Sequence, residues 1–521
     1  MKEKVTAGQR PNQNVERGDV RQTAMPLVEA VMEYSRRQPA YFCIPGHRYE
    51  RGINPAFREA VGDAVFRFDL TETPLTDDLH NASGAILEAE RLAAELFGAD
   101  ETHFLVNGTT CGNQIMVLSA ALAGQKIAVP RNAHKSMLMG LIMSGAEPVY
   151  LMPELTPQFG LHGGITPEAC EAMFQRHPDC KAVIVVSPTY YGLCSDIRGI
   201  AEVCHKNGAL LLVDEAHGAH CYFSEHLPEG ALPQGADLCS QSIHKVAGAL
   251  TQSSMLHIQG RRVDRARVDA NLHLVQSTSP SYLLMTSLDA ARQDLAQNGR
   301  EMQEKAIALA GKARAEISRI AGISAMDLSV VGQAGVTDLD RTRLTFSAAE
   351  LGLSGYELKR LLFDESNCDV ELADPFNALA IITSGNTEGD ISRLVSALRR
   401  ISDRFGAAGK RPACGGVESE GNNMSAAMPA AEQALLFTLP IPEYAVSPRT
   451  AYFSEKKRVP WEQAKGAVAG EMIAPYPPGI PVVYPGERIS AELWELLTKY
   501  KQEKRHLHGP SDARLDTFLI L

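Results

Sequence analysis

Ala209-Leu210-Leu211-Leu212-Val213-Asp214-Glu215-Ala216-His217-Gly218 joins an apolar run to two carboxylates and an imidazole. Five apolar residues without alternation read as a strand buried on both faces, and the polar residues stand at its carboxyl end. A second strand candidate, Leu238–Gln241, runs into Ser242-Ile243-His244-Lys245 in the same way. Together the two runs place a carboxylate and an amine at one edge of a sheet.

Working outward, the chain from about Ser83 alternates helices and strands. Ile86, Ala89, Ala93 and Leu96 line one helix face, and strand candidates follow at Thr102–Val106, Lys126–Val129, Pro148–Leu151, Ala182–Val186 and Ser254–Ile258. Helix-length amphipathic stretches between most of them predict an α/β fold with a mostly parallel sheet covered on both faces. In such sheets the site collects at the carboxyl ends of the strands.

The 521 residues, 45% hydrophobic and 22% charged, exceed what one core organises at roughly 100–200 residues per domain. The divisions expected are a flexible arm over 1–22, a large domain over 23–290, a small α+β domain over 291–405, a linker over 406–431 rich in Gly, Ala, Ser and Asn, and a C-terminal module over 432–521. Leu27, Val28, Val31 and Met32 predict a helix after the arm, and the stretch from Tyr282 to about Ile320 predicts a long one. In the small domain, strands are expected at Leu344–Phe346, Asp369–Leu372 and Ala378–Thr383.

The net charge of −11 leaves no basic footprint for nucleic acid or an anionic membrane surface, and it suits a cationic substrate. No apolar run reaches the length of a membrane span and no signal peptide precedes the polar N-terminus, so a cytoplasmic protein is expected. Ten cysteines without a CxxC pair are read as reduced thiols, and no metal site is expected.

The loops after the strands carry the chemistry. Thr102–Val106 runs into Asn107-Gly108-Thr109-Thr110-Cys111-Gly112 and an apolar helix. Free N–H groups at a helix start with two hydroxyls suit a phosphate, and an ordinary Thr-capped turn is the other reading. The loop Pro130-Arg131-Asn132-Ala133-His134-Lys135-Ser136 offers an imidazole that could lie flat on a cofactor ring or simply be solvated. Pyridoxal 5'-phosphate (PLP) chemistry needs a carboxylate beside the pyridine nitrogen, which Asp214 at its strand end could supply. Ala216 would leave room for the ring, and His217 could approach the reacting end.

Three lysines follow a histidine: Lys135, Lys206 and Lys245. Lys206 precedes a strand, at the wrong edge of the sheet. Lys245 follows one, with hydroxyls from Ser242, Thr251, Ser253 and Ser254 around it and small Gly248 and Ala249 after it. It is the expected cofactor lysine, with Ser242 and His244 as further donors to a phosphate.

These runs resemble those of the Orn/Lys/Arg decarboxylase family, PLP enzymes of the aspartate aminotransferase-like fold (fold type I). The resemblance takes in Ile44-Pro45-Gly46-His47, Asp77-Asp78-Leu79-His80, the loop from Pro130 to Ser136, and the runs Val213–Gly218 and Ser242–Lys245. It continues through Ala474-Pro475-Tyr476-Pro477-Pro478-Gly479-Ile480-Pro481 and Pro485-Gly486-Glu487 in a C-terminal α+β module. It implies that Lys245 binds the cofactor, Asp214 pairs with its ring nitrogen, and His134 stacks on the ring opposite Ala216. Thr109, Thr110, Ser242 and His244 are the implied phosphate contacts. Ser277, Thr278 and Ser279 match a stretch that in the family approaches the partner subunit's cofactor, so a homodimer is implied. Glu471 matches an acidic position that meets the substrate's cationic end.

The long enterobacterial members begin with a receiver-like wing domain; none precedes Met25 here, so their decameric assembly is not carried over. Cys111 also stands where relatives often have Ser or Ala. The short form resembles Gram-positive arginine decarboxylases of polyamine synthesis. The expected reaction is therefore decarboxylation of a basic L-amino acid, arginine to agmatine first, lysine to cadaverine second and ornithine to putrescine third. An aminotransferase of the same fold is the alternative class, with Arg341 and Arg343 available for a substrate carboxylate; an inactive regulatory homologue is the third.

Overall fold

In a computed structural model of the chain, residues 20–49, 51–406, 443–475, 480–504 and 506–521 are described. The expected arm lies almost wholly outside them, as do the linker beyond Gly406 and residues 476–479 of the C-terminal motif. Strands β1 (Glu101–Leu105), β2 (Lys126–Pro130), β3 (Glu147–Leu151), β4 (Ala182–Val186), β5 (Leu193–Cys194), β6 (Leu210–Asp214), β7 (Leu238–Gln241) and β8 (Ser254–Ile258) carry the α/β part. The chain divides into two compact units. One holds the described residues up to Ala120 with Leu210–Glu301, and the other Ala121–Ala209 with the described residues from Met302 on.

In the first unit β6 and β7 are parallel, with Asp214 opposite Ser240. All four residues of β7 are buried, as a strand covered on both faces requires. β8 departs from the parallel expectation, running antiparallel to both β7 and β1. The chain folds back through residues 242–253 without a crossover helix, and Lys245 sits in that return. β1 also ends one residue early, because the side chains of Gln276 and Gln252 take up the N–H and the carbonyl of Val106.

The helix Pro26–Arg37 starts at a proline with no side-chain cap. The Leu27 N–H is received instead by Asp289 Oδ2 at 3.0 Å, from the 36-residue helix Tyr282–Ile317. Arg292, one turn on, binds the other Asp289 oxygen at 2.7 Å and donates to the Gln22 carbonyl at 2.8 Å, with both charged side chains fully buried. Charges that the sequence spreads along one helix thus fasten the start of another.

In the second unit β2 is parallel to both β3 and β4. A four-stranded antiparallel sheet of β9 (Ser324–Ala325), β11 (Arg343–Ser347), β12 (Leu372–Ala373) and β13 (Asn377–Ile381) packs on helices Gly355–Ser366 and Glu388–Gly406, and β10 (Asp338–Leu339) pairs with β5. Its core joins Leu344, Phe346, Leu358, Leu362 and Leu398. The first of these helices opens with a capping box of Ser354 and Glu357. The last strands are β14 (Lys457–Pro460), β15 (Ala474–Pro475), β16 (Leu507–His508) and β17 (Thr517–Ile520). β14 and β17 pair antiparallel beside the helix Ala491–Gln502, around Trp461, Leu493, Leu497, Tyr500 and Phe518. No helix among the described residues is long and apolar enough to cross a membrane.

Replacing Asp289 by Ala leaves Arg292 a buried cation without its carboxylate and the Leu27 N–H without an acceptor. The expected cost is about 3–5 kcal/mol, read as a lower denaturant midpoint; an unchanged midpoint removes this pair from the account of the fold.

Candidate active site

β6 delivers Asp214 to the carboxyl edge at 3% exposure. Asp214 Oδ1 accepts the Ala216 N–H at 3.2 Å and Oδ2 accepts Asn113 Nδ2 at 2.8 Å. Glu215 prolongs the ladder, its N–H donating to the Ser240 carbonyl at 3.0 Å, and the turn closes when Gly218 donates to the Glu215 carbonyl. This turn brings Ala216 and His217 round beside Asp214, both nearly buried.

Lys245 sits on the four-residue helix Ile243–Val246 that follows β7, and its Nζ lies 3.0 Å from His217 Nε2. Ser242 does not cap that helix with its side chain. Its hydroxyl lies 2.6 Å from Thr109 Oγ1, which in turn lies 3.1 Å from Ser254 Oγ. Three hydroxyls from three elements thus meet at the start of the helix Gly108–Ala120. Thr110 is exposed and outside this trio. His244 turns Nδ1 to the Ser253 carbonyl at 2.9 Å, so that nitrogen carries a proton. Burial, aided by the charge of Lys245, pulls the His244 imidazole below its usual range.

Under this edge lies a polar network. Glu215 accepts from Tyr222 OH at 2.9 Å, Gln241 Nε2 at 2.7 Å, the Ala231 N–H at 2.7 Å and Cys239 Sγ at 3.0 Å. Burial raises its carboxyl above the usual range against the pull of these donors. Gln241 Oε1 meets His257 Nε2 at 3.0 Å, and His257 Nδ1 meets Thr102 Oγ1 at 2.8 Å. Four of these side chains line successive strands of the sheet, and each satisfies the next.

Two expected site residues belong to the second unit. His134 caps the helix Lys135–Ser144, its Nδ1 accepting the Ser136 N–H at 3.3 Å. Three residues earlier Arg131 is buried between the rings of Tyr150 and Tyr484, 4.7 and 4.4 Å from their centroids, and bonded to Glu487 at 2.6 Å. The motif loop and the C-terminal motif are thereby one cluster. Glu471 is nearly buried, one oxygen accepting the Ser511 N–H at 2.7 Å and the other the Leu519 N–H at 2.9 Å. Arg343 is fully buried and ion-paired with Asp340 at 3.3 Å, which commits it to the small sheet.

Asn113 is the neighbour that the motifs did not assign, and Ser254, expected only as a hydroxyl near Lys245, meets Thr109 instead. Asn113 lies four residues after Thr109, the spacing of one helix face, and that is the signal that could have found it.

The donor set fits pyridoxal phosphate. Three clustered hydroxyls at the start of a 13-residue helix suit a dianion, and a buried carboxylate and a lysine amine stand beside them. Gly112 makes room for this arrangement, since a Cβ there would lie 2.1 Å from Ser240 Oγ.

The fold is that of the fold type I PLP enzymes: the structure matches a Francisella novicida lysine decarboxylase, LdcF, with a TM-score of 0.80 at 22% identity, covering 96% of this chain and 81% of that one. Residues 25–390 match the model of the Orn/Lys/Arg decarboxylase major domain and residues 430–510 that of its C-terminal domain. The chain is 39% identical to an arginine decarboxylase of Halalkalibacterium halodurans over 96% of its own length and 98% of that protein's. It is 36% identical to one of Bacillus subtilis, over 95% and 97%. The chain belongs to the Orn/Lys/Arg decarboxylase family, PLP-dependent carboxy-lyases acting on basic amino acids.

The network generates a pH prediction. Burial, with the charge of His103 beside it, lowers His257 from 6.5 to about 3. The unfolded chain binds that proton and the native one refuses it, so this contribution to stability is full above about 6.5 and is lost as pH falls toward about 3. In His257→Gln the acid limb of a stability-against-pH curve should flatten by up to about 1.4 kcal/mol per pH unit; parallel limbs would contradict a neutral His257.

Proposed function

We propose that this chain decarboxylates arginine to agmatine with pyridoxal phosphate, in polyamine synthesis. The observation that carries the reading is the 3.0 Å approach of Lys245 Nζ to His217 Nε2 beside the buried Asp214. Arginine comes first because the two relatives reported above, similar over nearly their whole length, are arginine decarboxylases. Lysine to cadaverine and then ornithine to putrescine are the next substrates in order.

Thr109, Ser242, Ser254 and the first N–H groups of the helix Gly108–Ala120 would hold the phosphate, with Thr110 and His244 alongside. Asp214 would hold the ring nitrogen, Ala216 and His134 would take the two ring faces, and Lys245 would bind the cofactor covalently. Once bound, the cofactor supplies an electron sink for the bond to the departing carboxylate. The protein's own part is proton handling. Lys245 Nζ and His217 Nε2 are within hydrogen-bond reach, so a proton on either can pass to the other, and one of the pair returns it to the substrate Cα.

Glu471 is the proposed acidic partner of the substrate's cationic end. The enzyme is proposed to work as a cytoplasmic homodimer, with Ser277, Thr278 and Ser279 near the partner's cofactor.

The test offers the purified protein PLP with equal arginine, lysine and ornithine, and identifies the amine formed. Agmatine should dominate, with CO2 released stoichiometrically and no keto acid required. Lys245→Ala should be slower by roughly a thousandfold or more. Another amine in excess reassigns the substrate, and a requirement for a keto acid reassigns the class to aminotransferase. No amine at all, or a Lys245→Ala variant as active as wild type, ends the decarboxylase reading.

A further inference from the structure

Asn113 is 1% exposed on the helix Gly108–Ala120, and its Nδ2 donates to Asp214 Oδ2 at 2.8 Å. Thr109, whose hydroxyl meets those of Ser242 and Ser254, is one turn earlier on the same helix face. One rigid element therefore touches both the hydroxyl cluster and the carboxylate. We propose that Asn113 is a positioning residue: it fixes the plane of the Asp214 carboxylate, and its helix sets the distance between that carboxylate and the phosphate-binding hydroxyls. This rests on the reading of the site as a pyridoxal phosphate site.

The geometry gives each contact a separate task. Ala216 N–H holds Oδ1 at 3.2 Å from only two residues away, a local bond that follows Asp214 when the strand end shifts. Asn113 holds Oδ2 from a different element. Two holds from two directions define a plane, and a carboxylate so held keeps lone pairs for a further donor. The helix comes close enough because residue 112 is glycine, where a Cβ would lie 2.1 Å from Ser240 Oγ and 2.8 Å from Leu105 Cδ1. Ser240 is the partner of Asp214 in the β6–β7 ladder, so the residue that Gly112 packs against and the residue that the helix orients sit on paired positions.

A buried amide could instead serve packing alone, and the two roles predict different orders among variants. Asn113→Asp keeps the size of the side chain but replaces the donor with a second acceptor beside Asp214. Asn113→Ala removes the donor and the volume. If Asn113 acts as a donor to Asp214, PLP affinity falls roughly tenfold or more in Asn113→Ala and further in Asn113→Asp. If it only fills space, Asn113→Asp stays close to wild type and Asn113→Ala is the weaker binder.

The experiment measures PLP dissociation constants of the full chain by equilibrium dialysis, with the pH dependence of the bound cofactor's absorbance. Thermal unfolding without PLP checks that each variant folds. Should Asn113→Asp not fold, Asn113→Ala in an Asp214→Ala background decides: an effect routed through Asp214 adds less than twofold there. Wild-type affinity and an unmoved absorbance titration in Asn113→Ala, or losses that multiply fully in the double variant, overturn the proposal. Failure of the wild type itself to bind PLP would instead overturn the functional reading beneath it.

Discussion

A carboxylate taken almost wholly out of water must be given hydrogen bonds in return, because its desolvation is otherwise far too costly. Asp214 is in that position at the end of β6, and the edge of the first unit is organised around it. The turn after it exists in the form that lets Ala216 N–H reach back. The helix Gly108–Ala120 lies as deep as it does because Gly112 carries no side chain where Ser240 stands. Once that helix is seated, its first turn necessarily brings Thr109 to Ser242 and Ser254. The hydroxyl cluster and the buried carboxylate are thus held apart by the same element.

The layer below has the same logic. Glu215 follows Asp214 directly but points away from the site, into a network that ends at Thr102. Two adjacent carboxylates of one strand end are separated by the alternation of a β-strand, one turned to the helix Gly108–Ala120 and one to the network beneath. The lower one receives four donors and the upper one two.

Much of this edge was legible in the chain itself. Apolar runs marked β4 and β6, the run Leu238–Gln241 marked β7, and the polar residues after β6 and β7 marked their carboxyl ends, so Asp214 and Lys245 could be placed by position alone. Direction was not legible: a run of apolar residues reads the same either way, and β8 proved antiparallel. The end of β1 was misplaced because Gln276 and Gln252, far along the chain, take the backbone groups of Val106. The strand expected at Asp369–Leu372 shrinks to Leu372–Ala373, next to the turn in which Asp374 gathers the N–H groups of Phe376 and Asn377. Asn113 is a single amide inside an apolar helix, and no local pattern connects Arg131 with a partner so distant. What periodicity and turn chemistry encode is local; what was missed depends on side chains meeting across the fold.

Arg131 and Glu487 are 356 positions apart in the chain. A ribosome therefore exposes the arginine long before its carboxylate exists, and Tyr484, one of the two rings that sandwich it, arrives equally late. Until then the loop that carries His134 has a cation that it cannot bury. The final form of that loop is thus a late event in the life of each molecule, completed only when nearly the whole polypeptide has been made. A chain that stops short of Glu487 retains every residue of the first unit's edge, yet lacks the carboxylate that meets Arg131 at the root of the His134 loop.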